Sequence, residues 1–137
     1  MKKRLITSPE QMIELGQKIG SDYHKVLLHG ELGAGKTHFT KWFVRNFWIK
    51  SDAVQSPTYV YYHEYNKEVL HCDLYRVKDQ AILVERGIFD QIDQYENIII
   101  ERPCYEELYA DNSWIVVEIT KTTPSQREVV LRSYIIS

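Results

Sequence analysis

The chain of 137 residues has only two cysteines, Cys72 and Cys104, and they stand apart. No C-x-x-C pair occurs, so neither a disulfide framework nor a thiolate zinc site is expected, and single thiols suit a reducing cytoplasm. The five histidines form no H-x-x-x-H pair, which removes the common zinc-enzyme spacing. No apolar run approaches the ~20 residues of a membrane helix and no signal-peptide pattern is present, so a cytoplasmic protein with no membrane role is expected. Positive charge is in deficit too, with 17 Lys and Arg against 19 Asp and Glu and a net charge of −2. A protein that grips nucleic acid alone needs a basic face, and Lys2-Lys3-Arg4 is too short to supply one. The length suits one domain, residues 1–137, with a real core and little room for a lid, a helical subdomain or an independent substrate domain.

Glycine is scarce as well, yet three of the six glycines crowd into Gly30-Glu31-Leu32-Gly33-Ala34-Gly35-Lys36-Thr37. This is G-x-x-x-x-G-K-T, the phosphate-binding loop of P-loop NTPases. At average residue usage the four specified positions arise by chance in fewer than about one chain in a hundred of this length. Glycines let successive backbone N–H groups turn inward on phosphate oxygens. Lys36 is expected to reach the β- and γ-phosphates, and the Thr37 hydroxyl to sit on Mg²⁺. Before the loop, Lys25 to His29 reads as a buried strand. After it, Phe39, Trp42, Phe43 and Phe47 recur at helical spacing over Thr37 to Phe47. Strand, loop and helix come in the order that aims the helix N-terminus at an anion.

The remaining pattern is α/β. Arg4 to Thr7 reads as a short strand, Ser8 as the cap of a helix with Pro9 in its first turn, and Gly20 as its end. Val60 to Tyr65 and Glu68 to Asp73 read as a hairpin turning at Asn66-Lys67. Lys78 to Gly87 is weakly helical. Asn97 to Glu101 is a buried strand ending in an acid. Trp114 to Thr120 and Glu128 to Ile135 read as terminal strands around Thr122-Thr123-Pro124-Ser125. The tyrosines from Tyr59 to Tyr65 fit a half-packed sheet better than a base-stacking platform, and His63 and His71 read as ordinary strand residues.

A P-loop also needs an acid that holds the metal through water, at the end of a buried strand beside the loop. Asp73 and Glu101 both qualify, Glu101 more strongly because Ile98-Ile99-Ile100 precedes it. Ser56-Pro57-Thr58 offers a proline-held hydroxyl that could sense a γ-phosphate. Guanine recognition by N-K-x-D fails, because Asn66-Lys67-Glu68-Val69 lacks the final acid, so ATP is expected rather than GTP. The seven arginines are scattered, without the cluster that the lid of a small-molecule or nucleoside kinase carries. A nucleotide-dependent scaffold without catalysis stays open beside the kinase and the ATPase.

Four blocks in order, Gly30 to Thr37, Ser56-Pro57-Thr58-Tyr59, Asp73-Leu74-Tyr75-Arg76 and Ile98-Ile99-Ile100-Glu101, resemble the TsaE (YjeE) family, with Glu85-Arg86-Gly87-Ile88 between the last two. The likeness covers nearly the whole chain, and the second and third blocks are its specific ones. It implies a compact P-loop ATPase with a mostly parallel central sheet, helices on both faces and added antiparallel strands. It implies binding of ATP and Mg²⁺, slow hydrolysis, and action with TsaB and TsaD, which build threonylcarbamoyladenosine on tRNA; tRNA is then met only through that complex. By the same resemblance Lys36 holds phosphates, Thr37 and Glu101 hold Mg²⁺, Thr58 faces the nucleotide, Asp73 is a second acid near the site, and Arg127 lies near the adenine. The family's acid is usually followed by Trp-Pro; here it is Glu101-Arg102-Pro103. Arginine keeps a flat stacking group but adds a charge, which points to phosphates or an acidic partner surface.

Overall fold

The computed structural model describes residues 2–31, 33–55 and 60–134. A seven-stranded mixed sheet forms the middle layer, in the order β1-β7-β6-β2-β5-β4-β3. Its centre is parallel. β2 (Lys25–Gly30) lies between β5 (Asn97–Glu101) and β6 (Trp114–Thr123), and β4 (Val69–Asp73) pairs with the far edge of β5. Antiparallel strands close both sides: β3 (Tyr62–Tyr65) on β4, β7 (Gln126–Ser133) on β6, and β1 (Lys2–Ile6) on β7. The chain is therefore α/β, with a parallel centre and antiparallel flanks.

The central strands are apolar on both faces because helices cover both. On one face α1 (Pro9–Asp22) and α2 (Lys36–Val44) pack over Val26, Leu28 and Ile99. On the other, α3 (Gln80–Glu85) and α4 (Ile88–Gln94) pack with Leu27, Ile98 and Ile100. Phe39 and Phe43 of α2 are wholly buried, and burying such a ring contributes roughly 1.5–3 kcal/mol. The three-residue turn between β3 and β4 has Asn66 and Lys67 at positive φ, 52° and 56°, and the Glu68 amide closes it on the Tyr65 carbonyl at 2.9 Å, the twist-matched backbone of a tight hairpin. The near-match to a guanine motif is thus a hairpin turn.

Ser8 caps α1 as expected, accepting from the Gln11 amide at 3.3 Å. Gly20 does not end that helix. The helix runs on to Asp22, and Gly20 lies buried inside it against the end of α2. A Cβ there would meet Asn46 Nδ2 at 2.2 Å and the Phe43 carbonyl at 2.9 Å. Its missing side chain serves a close helix–helix approach, which no local pattern reveals. The weakly helical stretch is also shorter than expected, since Asp79 caps α3 and Gly87, at φ 68°, starts α4. The helix α4 was not anticipated. The expected strand residue Ile135 lies outside the described residues.

Candidate functional site

The C-terminal ends of the parallel strands gather the chemistry, where open α/β sheets bind ligands. The glycine-rich loop leaves β2 at Gly30 and enters α2 at Lys36. Gly30 is tightly packed, since a Cβ would lie 3.0 Å from the Ile119 carbonyl and the neighbours would have to give by a few tenths of an ångström. Gly33 and Gly35 hold φ values of 82° and 108°, which L-residues rarely adopt. The Ala34 amide closes the turn on the Glu31 carbonyl at 3.0 Å. Leu32 lies outside the described residues.

Lys36 is the buried cation of the site, only 7% exposed. Its Nζ donates to the Gly30 carbonyl and, at 2.7 Å, to the Glu31 carbonyl, so the ammonium folds back beneath the loop. Burial pushes its pKa down from the ordinary lysine value and the nearby Arg102 adds to this, while Glu101, Asp73 and Glu31 pull the other way. Thr37 is exposed on the first turn of α2. Arg127 reaches across from β7, donating through Nε to the Ala34 carbonyl at 3.0 Å and through Nη2 to the Gly33 carbonyl at 3.4 Å. A cavity of about 560 Å³ opens beside the loop, with Pro9, Met12, Ala34, His38, Trp42 and Arg127 among its walls. That volume suits a small organic ligand.

The two acids lie side by side, because Asp73 and Glu101 are register partners at the ends of β4 and β5. Strand alternation puts both on the face of α2, with Ile99 and Val69, away from Ile100 and Cys72. Both are buried, at 1% and 5% exposure. Their partners separate them. The Asp73 carboxylate takes a two-point grip from Arg102, through Nε at 3.1 Å and through Nη2, and also accepts the Tyr75 amide at 3.0 Å. Glu101 instead meets His71 Nε2, whose Nδ1 faces the Tyr65 hydroxyl at 2.9 Å.

Arg102 reaches Asp73 through its backbone. Residue 102 should point to the opposite face from Glu101, yet its φ of 48° breaks the alternation and returns the guanidinium to the acids. A left-handed conformation costs a non-glycine residue roughly 1–2 kcal/mol, here offset by a charge-assisted pair. The guanidinium also lies over the Tyr75 ring, with Cζ 4.3 Å from the centroid. The expectation for Arg102 was phosphates or an acidic partner surface; the contacts seen are instead with this chain's own Asp73 and Tyr75.

Of the expected site residues, Gly30, Glu31, Gly33, Ala34, Gly35, Lys36, Thr37 and Arg127 form one loop-centred group, with Asp73 and Glu101 on the same face of the sheet. Ser56, Pro57, Thr58 and Tyr59 lie outside the described residues. His71 and Tyr65 were read as ordinary strand residues, and their buried pairing went unseen. Their signal was present: a histidine at the wholly buried β4 position two before Asp73, on the same face.

A family model described as "Threonylcarbamoyl adenosine biosynthesis protein TsaE" matches residues 6–129. The chain belongs to the TsaE family. The tRNA threonylcarbamoyladenosine biosynthesis protein TsaE of Aquifex aeolicus is 36% identical over 122 residues, covering 78% of this chain and 90% of that protein. The TsaE proteins of Bacillus subtilis and Haemophilus influenzae are 47% identical over 57 residues and 39% over 79, covering 39% and 56% of this chain. Those two matches span 35% and 49% of the relatives' own lengths. The crystal structure of Bacillus subtilis YdiB superposes with a TM-score of 0.67 over 96% of this chain and 84% of that one, at 20% identity, which supports the fold alone. TsaE proteins take part in tRNA threonylcarbamoyladenosine biosynthesis, and this chain shares that family. Among the described residues no helix is long and apolar enough to cross a membrane.

Proposed function

We propose that this chain is a P-loop ATPase that binds Mg²⁺-ATP, hydrolyses it slowly, and serves the threonylcarbamoyladenosine machinery of tRNA through TsaB and TsaD. The observation that carries the reading is the convergence, on one face of the sheet, of a glycine loop, a buried lysine under it and a buried acid beside it. Phosphate oxygens would take over the Lys36 hydrogen bonds now made to Gly30 and Glu31. Loop amides and the N-terminus of α2 would hold the remaining anionic charge. Arg127 and the cavity beside the loop offer a flat cation and apolar walls for the base.

The residues also fit a metal brought by the phosphates. Mg²⁺ binds through one or two protein oxygens plus substrate phosphates rather than a full protein cage. Thr37 and Glu101 would hold it, and when bound it neutralises charge on the β- and γ-phosphates. Asp73 is committed to Arg102, so Glu101 is the better metal acid of the two. Thr58 keeps its proposed place facing the nucleotide. Turnover is slow in this reading because Arg102 is latched to Asp73 and a partner must complete the site.

Phosphate release and binding to TsaB–TsaD, measured with ATP, ADP or no nucleotide, test the proposal. Lys36→Ala should abolish nucleotide binding or turnover; wild-type ATPase activity in that variant would refute the site. Phosphate appearing on a small-molecule acceptor would favour a kinase, and ATP-dependent partner binding without hydrolysis a scaffold.

A further inference from the structure

Two polar groups in the core, Tyr65 and His71, line up behind Glu101. Tyr65 is on β3, His71 on β4 and Glu101 on β5, so one hydrogen-bonded line crosses three strands. All three are at most 8% exposed. The line continues to the backbone of Gln55, whose amide lies 3.2 Å from the Tyr65 hydroxyl. The Tyr65 hydroxyl also lies 3.4 Å from the Gln55 carbonyl. One tautomer satisfies the main line: the Gln55 N–H donates to the Tyr65 oxygen, the Tyr65 O–H to His71 Nδ1, and His71 Nε2–H to the Glu101 carboxylate. Each donor points toward the acid.

We propose that His71 and Tyr65 are positioning residues for Glu101, forming a relay that couples the orientation of this acid to the backbone at Gln55. A carboxylate at a strand end can rotate, and one that must hold a metal through water needs a fixed oxygen. His71 occupies one Glu101 oxygen from the β4 side. Tyr65 fixes the imidazole's tautomer and plane. Gln55 anchors Tyr65 from outside the sheet. The alternative is that the polar groups only satisfy one another in the core. In that case each bond would break independently, and a change at Glu101 would not be felt at Gln55. The relay rests on the nucleotide reading only for the role given to Glu101; the coupling itself is a property of the folded chain.

The test begins without nucleotide. Amide exchange of Gln55 is followed by NMR in the wild type, Glu101→Gln, Tyr65→Phe and the double variant. Tyr65→Phe removes one hydroxyl and keeps the ring, and should speed Gln55 exchange at least tenfold. Glu101→Gln should speed it at least threefold through His71, and add nothing in the Tyr65→Phe background. His71→Gln provides a second break in the line and should match Tyr65→Phe. If Glu101→Gln leaves Gln55 exchange unchanged, or if the two effects multiply, the relay is refuted. A second arm measures phosphate release against Mg²⁺ concentration. Tyr65→Phe should raise the Mg²⁺ needed for half-maximal rate at least threefold and leave metal-free ADP affinity within twofold. An unchanged Mg²⁺ requirement would overturn the positioning role. Intact exchange coupling in a protein that neither binds nor hydrolyses ATP would sink the ATPase reading and leave the relay standing.

Discussion

Arg102→Ala removes the guanidinium that grips Asp73. The Asp73 side chain is 1% exposed and that of Arg102 22%, so the pair sits at the edge of the core. Breaking a fully buried pair costs about 3–5 kcal/mol, chiefly because the surviving charge stays buried. Here two features reduce that figure: Arg102 still touches solvent, and Asp73 keeps the Tyr75 amide. Relief of the left-handed backbone at residue 102 is small, because alanine holds the same φ no better. The expected loss is about 2–3 kcal/mol by this reasoning, or a fall in Tm of about 6–10 °C for a chain of this size. Thermal unfolding followed by circular dichroism reads it directly. Asp73→Asn in the same background removes the stranded charge and should recover about 1–2 kcal/mol, since coupled neighbours are not additive. Equal Tm values for the wild type and Arg102→Ala, or strict additivity of the two substitutions, would show that the pair carries no stability.

Two other expectations follow from particular contacts. Lys36 has a pKa pushed below 10.5 mainly by burial, while a bound triphosphate would raise it. ATP binding should therefore take up protons between the lowered lysine pKa of the free protein and the higher one of the complex, and affinity should fall as pH rises through that window; calorimetry in two buffers of different ionisation heat measures the uptake, and its absence would remove the lysine from the phosphates. Gly20→Ala gains up to about 1 kcal/mol of helix propensity but presses on Asn46 and the Phe43 carbonyl, and overpacking costs roughly 1–3 kcal/mol. A net loss of about 1–2 kcal/mol is expected in urea unfolding, and a gain would mean that α1 and α2 separate freely.

What could be read along the chain was whatever depends on near neighbours. Asn97 to Glu101 was legible to its last residue because a run of isoleucines bounded by Asn and Glu has one comfortable state, a strand buried on both faces with its acid at the end. The strand, glycine loop and helix around Lys36 were legible for the same reason, as was the tight turn at Asn66-Lys67. The helix α4 was missed because its apolar positions, Ile88, Phe89 and Ile92, span too short a stretch to show a period, and its start depends on the backbone of Gly87.

The tertiary structure decided the rest, since it alone brings distant residues to one place. Gly20 looked like a helix end until α2 was seen to pass against it. Glu101 was the stronger metal-acid candidate along the chain, but only the register of β4 on β5 set it beside Asp73 and gave the two acids different partners. Arg102 for Asp73 and His71 for Glu101 are separated by 29 and 30 residues. The sequence by itself determined that this chain carries a G-x-x-x-x-G-K-T loop between strand and helix and two strand-end acids, because those signals are local. Which acid pairs with arginine and which with histidine was decided only when hydrogen bonding between strands and the exclusion of water forced each buried charge to find its partner.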